Sequence, residues 1–255
     1  MSTIQQELDL SNKYKLELFE YTYKGKRKEK KVNLVKLSRD NVARIEAMIS
    51  IDSGYKKNSD RDSGPDDNGK YKGSTAYWMC ELKDAVNNNQ NRNEEYKEVI
   101  RQAVEAVDRE NSTHLNADSI GREEITDRIY NLTKGELKSK LQTADIGLIN
   151  LIAAKTTPKD KSKKARTNVS FASKFCHYAC FYLFEGEPEQ DNFSIYDNVL
   201  KDNIPYYAQY YDVQIKDLSD YADYRRVVDE IIKKSESNIS RNGFDHLLWY
   251  YHKGR

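Results

Sequence analysis

Two side chains in this 255-residue chain have the type and setting for covalent or electrostatic chemistry, Lys174 and Asp197. Lys174 lies in the segment TNVSFASKFCHYACFYLF, residues 167–184. Wound as a helix, that segment gathers Phe171, Ala172, Phe175, Ala179 and Tyr182 into one apolar face. Ser170, Lys174, His177 and Phe181 form a stripe beside it, which sets the lysine at the rim of the apolar face. Partial desolvation there favours the neutral amine and makes it a nucleophile. The simpler role is a buried stem with its ammonium in water. Asp197 lies in NFSIYDNVL, residues 192–200, where it is expected to cap a short helix by accepting bonds from free backbone N–H groups. Such a cap holds a carboxylate ionised and fixed, which is also what electrostatic catalysis asks of it.

Other constellations carry less. Cys176, His177 and Cys180 invite a metal reading, but His177 points away from the direction the two thiols share, and no second ligand pair is nearby. Buried thiols are the expectation, with no metal. His246 and His252, with Asp245 adjacent, read as surface histidines near the C-terminus, and His114 has no companion. A phosphate-cradling glycine loop, a nucleophilic-serine elbow and a Walker-type lysine are all missing, so no cofactor is expected.

The elements that must position these residues are mostly helices. Residues 13–23 alternate apolar and polar with one shift of phase, and residues 32–37 are aliphatic and β-branched. With the lysine-rich turn between them they predict a β-hairpin, the phase shift marking a bulge. Ser38 is placed to cap a helix through Val42, Ile45 and Ile49. Helices are predicted over 74–87, with Tyr77, Trp78 and Leu82 on one side, and over 94–109, 122–132, 134–141, 144–155 and 170–184. Short helices follow near Asn198 and Tyr206, then longer ones over 218–234 and 241–253. The expected organisation is an N-terminal hairpin and helix over 1–51, a flexible Gly/Asp/Asn/Ser-rich loop over 52–73, and a helical body over 74–255.

The helix over 144–155, the basic connector PKDKSKKAR (residues 158–166) and the lysine-bearing helix have the outline of a helix-hairpin-helix, whose basic connector suits DNA phosphates. The succession Ser170 to Lys174 (SFASK), an aromatic-rich helix, Phe193 to Asp197 (FSIYD) and Phe244 to Trp249 (FDHLLW) resembles the helix-hairpin-helix DNA glycosylases, nearest to divergent bacterial 8-oxoguanine-glycosylase-like proteins. The resemblance covers about residues 144–255. It implies a mainly α, glycosylase-like helical bundle with a small N-terminal β-hairpin. It implies that Lys174 attacks C1′ of a flipped nucleotide and that Asp197 stabilises the developing sugar cation. Lys161, Lys163, Lys164, Arg166, Asn168 and Ser170 are then the DNA-binding residues, and His177, Phe181, Trp249 and Tyr250 the base-pocket candidates. The family hairpin carries Gly-x-Gly before its lysine, where this chain has Thr167, Asn168, Val169 and Ser170. Asn168 is the residue there able to take a left-handed conformation in place of glycine.

Composition bounds the rest. The net charge of +1 excludes a strongly basic protein while leaving room for a local basic face. Three cysteines give no disulfide framework, and neither a signal-peptide core nor a membrane-length apolar run stands out, so a cytoplasmic protein is expected. Double-stranded DNA is the expected partner, with no membrane and no small-molecule cofactor. The rival readings are a non-catalytic nucleic-acid binder of the same fold and a helical protein-interaction module.

Overall fold

A computed structural model describes residues 15–25, 28–52, 73–88, 92–111, 113–115, 120–160, 162 and 164–253. The protein is mainly helical, with a two-stranded antiparallel hairpin near its N-terminus. The chain divides into two compact units: Met1–Lys56 with Tyr196–Arg255, and Lys57–Ile195. The loop expected over 52–73 lies almost wholly outside the described residues.

In the first unit, β1 (Leu18–Lys24) pairs with β2 (Glu29–Val35) in an unbroken register from Leu18 opposite Val35 to Lys24 opposite Glu29. There is no bulge. The shift of phase in the sequence marks where the strand begins, just after Lys15 turns the backbone at φ 53°. Helix α1 (Arg39–Asp52) starts as expected, Ser38 Oγ accepting from the Asn41 N–H at 3.2 Å. Asn41 is fully buried and ties the hairpin ends together, its side chain bonding Glu17 N–H, Glu17 C=O and Lys36 C=O.

The second unit holds α2 (Thr75–Asn87), α3 (Glu94–Glu110), α4 (Gly121–Tyr130), α5 (Lys134–Gln142), α6 (Ile146–Ala153) and α7 (Val169–Leu183), then a 3₁₀ turn over Pro188–Asp191. Ser74 and Asn93 cap α2 and α3, and Thr133 with Glu136 forms a capping box on α5. The buried stripe of α2 is Thr75, Met79, Leu82 and Val86. Trp78 sits on the flank of that stripe and Tyr77 nearly opposite it, the two rings edge to face at 5.1 Å, so they do not share a side with Leu82 as expected. One buried charge anchors the α3–α4 connection. The Asp108 carboxylate accepts from Thr113 Oγ1 at 2.5 Å, Leu115 N–H at 3.0 Å and Arg122 Nε at 2.8 Å.

The chain then completes the first unit with α8 (Asn198–Tyr210), α9 (Tyr221–Lys234) and α10 (Arg241–Lys253). The two short helices expected near Asn198 and Tyr206 are one. Helix α8 runs through Pro205, so the loss of a single backbone bond does not outweigh the burial of Leu200, Ile204, Tyr207 and Ala208 along one side.

Candidate functional site

Lys174 belongs to the second unit. Helix α7 is enclosed along its length: Phe171, Ala172, Ser173, Lys174, Phe175, Cys176, His177, Ala179, Cys180 and Leu183 are all buried. Ser170, Tyr178, Phe181 and Tyr182 are half-buried along one side, and Lys174 lies deeper than the rim position expected of it. Only 7 % of Lys174 is exposed, against 8 % for Leu183 on the same helix. An apolar helix of this composition is covered over most of its circumference, and its lysine goes inside with it.

Residues 154–168 feed α7 its first turn. The connector is closed by an antiparallel bridge, Thr156 N–H donating to Arg166 C=O at 3.3 Å, and by Asn168 N–H donating to Ala153 C=O at 2.9 Å. Arg128 reinforces the far side, its guanidinium donating to the carbonyls of Ala154 and Lys155 at 2.8 and 2.7 Å, where a helix end concentrates negative partial charge. Asn168 does not supply the left-handed residue that stands in for the hairpin glycines: its φ is −119°. It is buried, and its amide lies 3.4 Å from both Thr156 Oγ1 and Arg166 C=O, so it holds the connector instead of facing a ligand. Lys164 and Arg166 are exposed, and Ser170 is half-buried with its C=O accepting from Ser173 Oγ at 3.0 Å. Lys161 and Lys163 lie outside the described residues.

His177 is 2 % exposed, with Nδ1 2.8 Å from the Phe193 carbonyl oxygen and its ring 6.5 Å from the near-parallel ring of Phe181. It ties α7 to the FSIYD segment. Burial pushes the Cys176 thiol well above its ordinary value, with Cys180 adding to the effect, and Cys180 Sγ lies 3.5 Å from the Leu141 carbonyl. Among the described residues no group of three His, Cys, Asp or Glu is placed to hold a metal ion.

Asp197 belongs to the first unit and is the N-cap of α8. Its Oδ1 accepts from Val199 N–H at 2.8 Å, and its own carbonyl accepts from Lys201 N–H at 2.9 Å. An aromatic group surrounds it: Tyr196 packs edge-on against Tyr224 at 5.0 Å, Tyr221 stacks on Tyr224 at 6.2 Å, and Lys201 Nζ lies 5.3 Å over the Tyr196 ring. Burial pushes the Tyr224 phenol well above its usual range; Asp245 contributes next, then Tyr221, Asp197 and Tyr196. Asp245 is 1 % exposed. In the sequence Tyr224 reads only as part of a helical stripe and Asp245 only as a neighbour of the C-terminal histidines. The available signal was the coincidence of helical spacing in α9 with an aspartate set between Phe244 and Leu247, all of which are buried.

Trp249 and Tyr250 are half-buried on α10, edge to face at 4.9 Å, with Lys253 Nζ 4.5 Å over the Trp249 ring. His252 is not the surface histidine expected. Burial, helped by the charge of Lys30, lowers its pKa to about 3, and Nε2 lies 3.2 Å from the Tyr207 hydroxyl.

A family model described as the HI_0787_N N-terminal domain matches residues 76–181, less than half of the chain. The match runs from α2 into α7, including Lys174, and stops before Asp197. No curated protein matches. No solved structure matches. No helix among the described residues is long and apolar enough to cross a membrane.

Proposed function

We propose that the protein is a DNA base-excision glycosylase acting on a flipped damaged or modified base in double-stranded DNA, with lyase activity through a Schiff base at Lys174. One observation carries the reading: an almost fully buried lysine on the second turn of an enclosed helix, directly after an exposed basic connector that retains Lys164 and Arg166 at its end. Lysines with only a structural role keep their heads in water, and a lysine drawn into a helix this well covered is where a nucleophilic side chain would be held against a substrate. In the proposed step Lys174 Nζ bonds to C1′ while the C1′–N glycosidic bond breaks. The base leaves with that bonding pair and takes a proton. The C1′–O4′ bond then opens, O4′ taking its bonding pair and the second nitrogen proton, which leaves the imine. Loss of a C2′ proton expels the 3′ phosphate with the C3′–O bonding pair, the lyase step, and water hydrolyses the imine to free the lysine. Asp197, fixed by its cap, is assigned the positive charge that develops on the sugar. The work is placed in the cytoplasm, in keeping with three free thiols.

Duplex oligonucleotides carrying single lesions test this. Base release from at least one, abolished by Lys174→Gln in folded protein, is expected; no release across a broad panel overturns the catalytic claim. The second reading, a non-catalytic nucleic-acid binder, rests on the connector, where no described residue has the left-handed backbone that hairpin glycines supply. Salt-dependent duplex binding without base release, unchanged in Lys174→Gln, would favour it.

A further inference from the structure

The alternate residues Phe19, Tyr21 and Tyr23 of β1 share one face of the hairpin with their partners Leu34, Val32 and Lys30 on β2. Against that face lie the tyrosines of α8. Tyr210 is 4.5 Å from Phe19, 5.3 Å edge-on from Tyr21 and 4.8 Å from Tyr211. Tyr23 meets Tyr206 edge-on at 4.9 Å, and Lys30 Nζ lies 5.2 Å over the Tyr206 ring and 3.3 Å from its hydroxyl. Gln209 locks this arrangement: Oε1 accepts from Tyr21 OH at 3.0 Å and Lys24 N–H at 2.7 Å, while Nε2 donates to Lys24 C=O at 3.0 Å. The rings are thus held in place before any ligand arrives.

Packing alone would cover these rings, yet Tyr210 is 46 % exposed, more than any other large hydrophobic side chain among the described residues. The rim is cationic. Lys24, Lys28 and Lys30 are exposed; Glu29 stands among them, opposite Lys24 in the hairpin register, while Glu20 holds Lys31 at 3.0 Å and Glu17 holds Lys36 at 3.0 Å, so the three lysines outnumber the rim carboxylate beside them. We propose that this ring cluster and its lysine rim form a binding surface for single-stranded nucleic acid, bases stacking on Tyr210 and phosphates meeting Lys24, Lys28 and Lys30. Charge complementarity selects a polyanion, and rings presented beside the charges select one with flat π-faces to offer. A duplex hides those faces in its own stack, which leaves the unpaired strand.

Fluorescence anisotropy of the full chain with a labelled oligothymidylate tests the surface. The wild type is expected to bind with affinity falling as salt rises. Tyr210→Ala weakens binding about tenfold, the loss of one base stack, and Tyr210→Phe keeps it. Replacing Lys24, Lys28 and Lys30 together by Gln lowers the salt slope by about two, at positions too exposed to affect folding. The proposal is overturned if Tyr210→Ala and the triple Gln variant both bind as the wild type does. It is equally overturned if polyphosphate of the same length competes as well as the oligonucleotide, or if anionic vesicles are bound and the oligonucleotide is not. The probe carries no lesion, so the result is independent of base release and of the glycosylase reading.

Discussion

Asp197 has two separable jobs, and substitution at that one position tells them apart. As N-cap it accepts from Val199 N–H at 2.8 Å, one of the backbone donors that a helix start leaves without an internal partner. Asparagine caps about as well as aspartate, whereas alanine leaves that donor without its acceptor at a cost of about 1 kcal/mol. Asp197→Asn therefore melts with the wild type, and Asp197→Ala melts about 2–4 °C lower, the shift expected of a domain of this size. Catalysis orders the variants differently. If the carboxylate faces a growing positive charge, the neutral amide loses that interaction as fully as alanine does, and a single preorganised electrostatic contact contributes roughly 100- to 1000-fold in rate. Thermal denaturation and single-turnover base release on the best lesion substrate, measured on both variants, form the assay. An Asp197→Asn protein that is stable and fully active refutes the electrostatic role. An Asp197→Ala protein as stable as the wild type refutes the cap.

Other outcomes follow from buried groups. His252 has its folded pKa lowered to about 3 against an ordinary value of 6.5, so its contribution to stability is fully present above pH 6.5 and is lost as pH falls toward 3. Because the ring is only half-buried, a slope of about 1.4 kcal/mol per pH unit is an upper bound, and urea denaturation between pH 4 and 7 should show a flatter profile for His252→Gln than for the wild type. A thiol-titrating disulfide reagent should label Cys80 in the native protein and reach Cys176 and Cys180 only after denaturation, since burial keeps the Cys176 thiol protonated. Asp108→Ala should destabilise by about 3 kcal/mol in chemical denaturation, because Thr113, Leu115 N–H and Arg122 all lose their acceptor.

Much of the fold was readable because its signals are local. Ser38 announced the start of α1, and helical periodicity over 94–109 announced α3. Misreadings fell where a tertiary contact decides. Nothing local in residues 13–23 distinguishes a bulge from a strand that begins late, and only pairing with β2 shows the latter. Two short helices are expected near Asn198 and Tyr206, but the burial of Ile204, Tyr207 and Ala208 carries one helix through Pro205. The same holds at the candidate site. Lys174 and Asp197 were legible as residue types at suggestive positions. That Lys174 is buried was not, because a helical wheel shows which residues share a face and not how many neighbours the helix has. Asn168, expected at the DNA, turns inward because Thr156 and Arg166 come back across the connector to meet it, a contact that no residue near Asn168 foretells. Asp245 is buried and His252 half-buried by elements distant in sequence, and polarity alone assigned His252 to the surface.

The central claim is that the Lys174 amine forms a covalent bond with a sugar carbon. Borohydride reduces an imine between a lysine and an opened sugar to a stable amine, so incubation with lesion-bearing duplex and borohydride, followed by peptide mass mapping, reads the claim directly. A single adduct on the peptide containing Lys174, lost in Lys174→Gln while the fold is retained, is the predicted result. An adduct on another residue, or none with any lesion or abasic duplex, would contradict it.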